Sequence, residues 1–314
     1  MRYHQLTSEE RYALSTLRKQ GYNQSQIAQA LGRHRSTISR ELQRNSRGDG
    51  GYRPSTADDF TRGRRSRSRR NWQFTERDWA LVCAKLQEYW SPEQISGRLR
   101  RKGVLRISHE TIYRYIWNDM LCGGSLYLLL RGARKRRRKR YGAYDSRGRL
   151  AGKRHISERP AAAENRSRIG HLEGDTMIGG ADKHCVLTLV DRKTGYLFIG
   201  KLKERTVAAA SVSTISIIRK ARRPVHTITL DNGTEFHGYK KIEASTRALV
   251  YFATPHHSWE RGTNENTNGL IRQYLPKRKT MRHVTQQDCD RIAEHLNNRP
   301  RKRHGFLTPA ELYE

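Results

Sequence analysis

The chain has 314 residues, with 63 Lys and Arg against 30 Asp and Glu, so its formal net charge is +33. This length allows two or three domains, and so large a positive charge indicates nucleic acid as the main partner. A membrane protein is disfavoured, because no apolar run approaches the length of a spanning helix and no stretch has a strong apolar face.

Residues 6–45 predict three short helices. Asn23 caps the second, Gly32 makes the turn, and Ile38 faces the interior from the third. A short turn followed by a basic, hydroxyl-rich helix is typical of a helix-turn-helix that reads the major groove of DNA. The alternative is an ordinary three-helix bundle with a solvated face. The predicted DNA contacts on the outward face are Arg35, Ser36, Ser39, Arg40 and Gln43.

Two basic segments follow along the chain. The first covers residues 62–70, and in the second, 131–140, eight of ten residues are Lys or Arg. Blocks of like charge do not pack into a core, so both segments predict linkers that lie along DNA phosphates. Their alternatives are a flexible tether for the first and a nuclear-type targeting signal for the second. The predicted DNA contacts in the second segment are Arg136, Arg137 and Arg138.

Between these segments the pattern predicts a second group of helices. Residues 79–86 carry apolar side chains at helical spacing. Ser91 followed by Pro92 is typical of a second helix start, and Ser108 of a third. The repeated cap, helix and link predict a second helix-turn-helix-like module, with a link at 98–106 longer than the motif usually has. Its predicted DNA contacts are His109 and Arg114.

From about residue 165 the pattern changes to alternating strands and helices. Helices are expected at 206–220 and 238–246, before the fourth and fifth strands. Three antiparallel strands joined by short turns, followed by alternating helix and strand, give the order of a ribonuclease-H-like α/β domain. The predicted strands are 168–178, 184–191, 195–203, 225–231 and 249–253.

Three acidic residues stand out in so basic a chain. Asp175 lies in the first predicted strand, Asp231 ends the fourth, and Glu265 lies on a helix that follows the fifth. Carboxylates are the ligands that Mg²⁺ prefers, and two such ions stabilise the attacking and leaving oxygens at phosphorus. Each acid alone could be a solvated turn residue. Together they predict a metal site that cuts and joins nucleic acid.

Three motifs around these acids strongly resemble the DDE transposases of bacterial insertion sequences, specifically the IS-thirty family. Segments 36–42 (STISREL) and 296–309 (LNNRPRKRHGFLTP) are also similar to that family, so the resemblance covers nearly the whole chain. The 33 residues between Asp231 and Glu265 match the family pattern, whereas Leu172 stands where relatives commonly have Trp. The motifs are residues 170–179 (GHLEGDTMIG), 229–236 (TLDNGTEF) and 258–277 (SWERGTNENTNGLIRQYLPK).

The resemblance implies a retroviral-integrase-like catalytic domain in which Asp175, Asp231 and Glu265 form the catalytic and metal-binding triad. Two Mg²⁺ ions per active site are implied, with Mn²⁺ as a substitute. Hydrolysis would expose a 3′-hydroxyl at the end of the element, and this hydroxyl would attack target DNA without a covalent protein–DNA intermediate. The implied partners are double-stranded terminal inverted repeats, target DNA and at least one further copy of the chain.

Several residues near the triad have two interpretations each. Glu173 is an auxiliary ligand or, as we expect, part of a structural salt bridge. Glu260 is a rival for the third metal ligand. Asn268 is expected to orient substrate DNA or metal-bound water, and Asn264 could be only a helix cap. Lys277 is expected to bind DNA phosphate, although a solvated helix end has the same composition.

His256 and His257 are interpreted as polar residues at a strand end. The cysteines are far apart and form no CxxC pair, which favours free buried thiols over a zinc site or disulfides. The first residues contain no signal-peptide core, so a cytoplasmic location is expected, at the bacterial nucleoid when DNA is bound. The four cysteines are Cys83, Cys122, Cys185 and Cys289.

Two other functions remain open from the sequence: a non-catalytic helix-turn-helix regulator and a structure-specific nuclease without joining activity. An intact triad argues against the regulator, and strand transfer would separate the nuclease. The expected domains are a helix-turn-helix domain, a basic linker, a second helical module, a second basic linker and the catalytic domain, at 1–60, 61–71, 72–120, 121–160 and 161–314 respectively.

Overall fold

A computed structural model describes residues 5–68, 74–132, 152–180, 183–255 and 257–314. The chain divides into two compact units, Met1–Thr75 and Glu76–Glu314. None of the helices in these ranges is long and apolar enough to cross a membrane.

The first unit consists of four helices around a small apolar core. A capping box between Thr7 and Glu10 starts the first helix, and the Asn23 side chain accepts hydrogen bonds from two amides at the start of the second. Leu14, Ile27 and Ile38 are almost fully buried between the helices. The helices are α1 (Ser8–Lys19), α2 (Gln24–Ala30), α3 (Arg35–Asn45) and α4 (Pro54–Ser68).

Helix α4 extends through most of the segment 61–71, which the sequence predicts to be a linker. Ala57 and Thr61, one helical turn apart, are both buried. The guanidinium of Arg11 donates to Thr61 Oγ1 at 3.2 Å and forms a 2.5 Å ion pair with Asp58. These contacts with the first helix hold the basic segment in a helix as far as Ser68, so this part of the linker prediction is wrong.

The second unit begins with a three-helix module. The side chain of Ser91 caps its second helix in a capping box, and the side chain of Ser108 caps its third, as the sequence predicts. Val82, Ile95 and Ile112 are fully buried in the module. The helices are α5 (Glu76–Gln87), α6 (Pro92–Arg101) and α7 (His109–Leu121).

This module packs against the C-terminal end of the chain. Arg98 on α6 donates to the carboxylate of Glu311 at 2.5 and 3.0 Å. A Cβ atom on Gly97 would lie only 2.4 Å from the ring of Phe306, so glycine permits this close approach. The module and the α/β residues therefore share one compact unit, which differs from the separate domains 72–120 and 161–314 expected from the sequence.

A five-stranded mixed sheet forms the centre of the second unit, with the strand order β3-β2-β1-β4-β5. β1 pairs antiparallel with β2 and β2 with β3, whereas β4 pairs parallel with both β1 and β5. This is the ribonuclease-H-like arrangement that the order of elements predicts. The strands are β1 (His171–Ile178), β2 (Cys185–Asp191), β3 (Leu197–Leu202), β4 (Thr227–Leu230) and β5 (Leu249–Phe252).

Helices cover both faces of the sheet, because successive side chains of a strand point to opposite faces. Leu187 of β2 belongs to an apolar cluster with Ile215 and Ile242, and its neighbour Val186 to a second cluster with Leu296. The helices are α8 (Ala161–Glu164), α9 (Val207–Lys220), α10 (Tyr239–Thr246), α11 (Gly262–Ile271), α12 (Gln286–Asn297) and α13 (Pro309–Tyr313).

The four cysteines are free thiols, as the sequence predicts. Cys185 and Cys289 are buried in the core of the second unit, and burial raises the pKa of each thiol to about 11. Cys122 is exposed and Cys83 is half-buried, so the expectation that all four are buried is wrong.

Candidate active site

The sheet places Asp175 and Asp231 at equivalent positions on neighbouring strands. Glu173 of β1 pairs with Thr229 of β4 in parallel register. Asp175 lies two residues beyond Glu173, and Asp231 two residues beyond Thr229 and directly after the end of β4. Because parallel strands advance together, both carboxylates lie at the same edge of the sheet and on the same side.

A guanidinium group lies between these two carboxylates. Nη1 of Arg261 is 3.7 Å from Oδ1 of Asp175, and Nη2 is 3.8 Å from Oδ2 of Asp231. The side chains of Arg261, Asp175 and Asp231 are 15%, 26% and 21% exposed. The pair of aspartates therefore already surrounds one positive charge.

The pKa of Asp175 is raised to about 6, chiefly by burial and also by the charges of Asp231 and Glu235, whereas the charge of Arg261 lowers it. The amide of Asn268 donates to Oδ2 of Asp175 at 2.7 Å and thereby fixes the direction of the carboxylate. Asn268 is itself held by Thr188, whose hydroxyl donates to Asn268 Oδ1 at 3.2 Å. The expectation that Asn268 acts beside the acids thus has a geometric basis.

Glu265, on the exposed side of α11, opens onto the same cleft as Asp175. This cleft has a volume of about 1220 Å³, and Asn268 and Lys277 also line it. The described residues contain no group of three His, Cys, Asp or Glu side chains arranged to hold a metal ion. The three-carboxylate metal site therefore stays a prediction.

The structure distinguishes between the interpretations of Glu173. This residue is fully buried, pairs with Arg192 at 2.5 Å, and accepts a hydrogen bond from the backbone amide of Asn264 at 2.9 Å. It is a structural salt bridge, as expected. Asn264 lies within α11 and is fully buried, and Arg261 is the residue at the N-cap, so the interpretation of Asn264 as a helix cap is wrong.

Glu260, the rival for the third ligand, is engaged elsewhere. Its carboxylate accepts hydrogen bonds from the backbone amide and the hydroxyl of Thr254, at 2.8 and 2.9 Å. His257 lies 3.3 Å from the same carboxylate. Glu260 therefore fixes the segment after β5, in agreement with a polar role for His257 at a strand end. His256 lies outside the described residues.

Sequence reasoning missed two residues of this site, Arg261 and Glu235. Glu235 is buried, accepts from the Thr176 hydroxyl at 2.5 Å, and pairs with Arg205 at 2.7 Å. Burial raises the pKa of Glu235, but hydrogen bonds from Arg205 and Thr176 outweigh it and hold the pKa below its ordinary value. Both missed residues stand within the conspicuous motifs 229–236 and 258–277, which was the available signal.

The predicted DNA contacts in the first unit lie on α3. Four of the five, Arg35, Ser39, Arg40 and Gln43, are exposed, whereas Ile38 points into the core. Ser36 is half-buried, and its hydroxyl is 2.8 Å from Nδ1 of His34, the residue that caps the helix.

In the second unit, His109 and Arg114 are exposed on α7 and Lys277 is exposed at the cleft. The three predicted contacts Arg136, Arg137 and Arg138 lie outside the described residues. Nothing in these positions conflicts with DNA binding by His109, Arg114 or Lys277, which stays a prediction.

Comparison with known proteins adds independent information. A model of a helix-turn-helix domain matches residues 2–45. The chain is 41% identical to the transposase for insertion sequence element IS4351 of Bacteroides fragilis, over 98% of this chain and 95% of that protein. It is 39% identical to transposase InsI for insertion sequence element IS30A of Escherichia coli, over 92% of this chain and 78% of that protein.

A third relative is the transposase for insertion sequence element IS1086 of Cupriavidus metallidurans, 34% identical over 99% of this chain and 94% of that protein. Among solved structures, the catalytic core domain of BIV integrase aligns with a TM-score of 0.36 at 18% identity, over 46% of this chain and 93% of that chain.

Proposed function

Since the chain belongs to the IS30 (IS-thirty) family of insertion-sequence transposases, we propose that Asp175, Asp231 and Glu265 catalyse cleavage at the ends of its element and transfer of the cut strand. The bound ends would be terminal inverted repeats, read by the helix-turn-helix at residues 2–45. The enzyme would act in the bacterial cytoplasm, on DNA of the nucleoid.

One observation carries the proposal: two aspartates from neighbouring strands surround a positive charge at the edge of a cleft. A site that holds a guanidinium between carboxylates has the charge and the oxygen ligands that suit a divalent cation. Asp175 and Asp231 would therefore hold Mg²⁺, or Mn²⁺ as a substitute. Glu265 would complete the site from α11, with two ions bound per active site.

The bound ions would supply charge stabilisation to the phosphorus centre and activate the attacking oxygen. The chain's own residues would position the reaction. Asn268 holds the carboxylate of Asp175 in one direction, and Glu173 with Arg192 fixes the strand that carries it. Lys277, at the cleft, would bind a phosphate of the DNA.

Asp231→Asn tests the assignment, because it removes one carboxylate charge without a change in side-chain volume. We expect loss of both cleavage and strand transfer in Mg²⁺, with unchanged binding to DNA ends. Asp290→Asn, on the exposed side of α12, is the matched control and should keep wild-type activity. Wild-type strand transfer by Asp231→Asn would refute the assignment, and cleavage without transfer by the wild type would favour a structure-specific nuclease.

The active form would contain at least two protomers, because two DNA ends must meet one target and each triad serves one strand at a time. Light scattering of the complex with paired DNA ends measures this number directly. A single protomer that performed concerted joining would contradict the proposed assembly.

A further inference from the structure

Three arginines neutralise acidic residues in or near the candidate site, and two of them are held firmly. Arg192 donates to Glu173 at 2.5 Å, and its Nε donates to a backbone carbonyl at 2.8 Å. Arg205 donates to Glu235 at 2.7 Å. Both are short, charge-assisted hydrogen bonds of the kind that fix structure.

Arg261 is held differently. Its distances of 3.7 and 3.8 Å to Asp175 and Asp231 exceed those of hydrogen bonds. Its one hydrogen bond within the described part of the chain runs from Nη1 to the carbonyl of Gly174 at 3.3 Å, and its buried Nε has no partner there. A guanidinium carries five N–H donors. Arg261 therefore supplies charge to the aspartates but gains few hydrogen bonds in return.

The surroundings of Arg261 also leave it room to move. The side chain lines the open cleft. The next residue, Gly262, has nothing within 4 Å of the position that a Cβ atom would occupy. Glycine at this position, where α11 begins, has wider backbone freedom than other residues, so the direction of the preceding residue is less restricted.

We infer that Arg261 is an exchangeable counter-ion: its guanidinium neutralises Asp175 and Asp231 until a divalent ion enters, and then leaves the space between them. The inference rests on the proposed function, because the divalent ion belongs to that proposal. A guanidinium and a divalent cation cannot share the space between two carboxylates, because positive charges about 4 Å apart repel strongly. Displacement of Arg261 thus opposes ion binding and lowers the affinity of the site.

Titration of the full chain with Mn²⁺, without DNA, tests this inference through the free Mn²⁺ signal in electron paramagnetic resonance. Arg261→Ala should bind Mn²⁺ at least roughly tenfold more tightly than the wild type, or about 1.4 kcal/mol. Arg261→Lys, which keeps a positive charge, should stay near the wild-type affinity. Arg272→Ala is the matched control, because Arg272 acts on Asp175 from a distance and donates to the carbonyl of Ile178 instead.

Each result has one meaning. Tighter binding by Arg261→Ala, with little change in Arg261→Lys and Arg272→Ala, supports exchange. Equal or weaker binding by a folded Arg261→Ala, while the wild type still binds Mn²⁺ and Asp231→Asn does not, overturns the counter-ion role and leaves the metal site intact. If the wild type, Arg261→Ala and Asp231→Asn all fail to bind Mn²⁺, the proposed metal site is wrong and the exchange is wrong with it.

Discussion

At the scale of single residues, Glu173 and Asp175 show how one strand uses two carboxylates differently. They are two residues apart on β1 and so share one face of the strand. Glu173 is fully buried, and its charge is matched by Arg192 at 2.5 Å. Asp175 keeps part of its surface exposed, with its nearest guanidinium at 3.7 Å. The first charge stabilises the fold, and the second remains available to a ligand.

Glu173→Gln should therefore act on stability. The substitution leaves the guanidinium of Arg192 buried without a counter-charge, which costs about 3–5 kcal/mol of unfolding free energy in such sites. The midpoint of urea unfolding measures the loss, and Glu294→Gln, exposed on α12, should change little. Unchanged stability combined with weaker Mn²⁺ binding would show instead that Glu173 is a metal ligand.

The two aspartates could be predicted from the sequence, because each stands at a characteristic place relative to a strand. For Arg261 and Glu235 the motifs gave a signal of position, but not of what each side chain contacts. One arginine among 63 basic residues gives no signal of its own, and its position between two carboxylates arises only when β1, β4 and the start of α11 meet. The same holds for the pair of Glu235 with Arg205, which are 30 positions apart in the chain.

At the scale of elements, the starts of helices could be predicted from the sequence because capping is a local interaction. The caps at Asn23, Ser91 and Ser108 lie where the sequence predicts them. The end of α4 could not be predicted, since its basic composition is typical of a linker. Its helix is fixed by buried contacts of Thr61 with Arg11, a residue on another helix. Capping motifs in the sequence thus predict where helices begin, but they do not predict a helix end that depends on contacts with another helix.

A substitution on helix α3 tests the prediction that this helix recognises DNA bases. Arg40 is exposed on the face opposite Ile38, and an arginine that pairs with guanine contributes about 1–3 kcal/mol of discrimination between bases. Arg40→Ala should narrow the difference in affinity between inverted-repeat DNA and random DNA at fixed salt. Neutralisation of several basic residues of 131–140 should weaken both affinities alike and reduce their salt dependence. Competition titrations measure both effects. If Arg40→Ala kept the preference for inverted-repeat DNA and the 131–140 variant lost it, the two assignments would be wrong.

At the scale of the whole molecule, the sequence predicts the ribonuclease-H-like sheet but not the attachment of α5, α6 and α7 to its C-terminal end. Strand order follows from the order of elements along the chain. The attachment depends on Arg98 with Glu311 and on Gly97 with Phe306, pairs of residues more than 200 positions apart. Such contacts leave no periodic pattern in the sequence.

The attachment should depend on pH. Hydrogen bonds from Arg98 hold the pKa of Glu311 at about 2, below the ordinary 4.5, so the carboxylate stabilises the folded chain fully above about pH 4.5 and loses this effect as the pH falls toward 2. Glu311 is 40% exposed, so solvent limits the contribution to roughly 0.5–1 kcal/mol. Unfolding of Glu311→Gln at pH 7 and pH 3 should show a deficit that shrinks at low pH, whereas Glu314→Gln shows none. A deficit independent of pH would contradict the ionic origin.

Because α6 packs against the C-terminal end of the chain, recombination between related genes preserves these contacts only at certain crossover points. A genetic crossover near residue 75 would leave each compact unit with a single ancestry. A crossover between residues 121 and 160 would combine Arg98 from one parent gene with Glu311 from the other. It would likewise separate the origins of Gly97 and Phe306, which are in close contact. If the first unit recognises the DNA ends, as proposed, its replacement alone would change that specificity, while the three-helix module would be inherited together with the sheet.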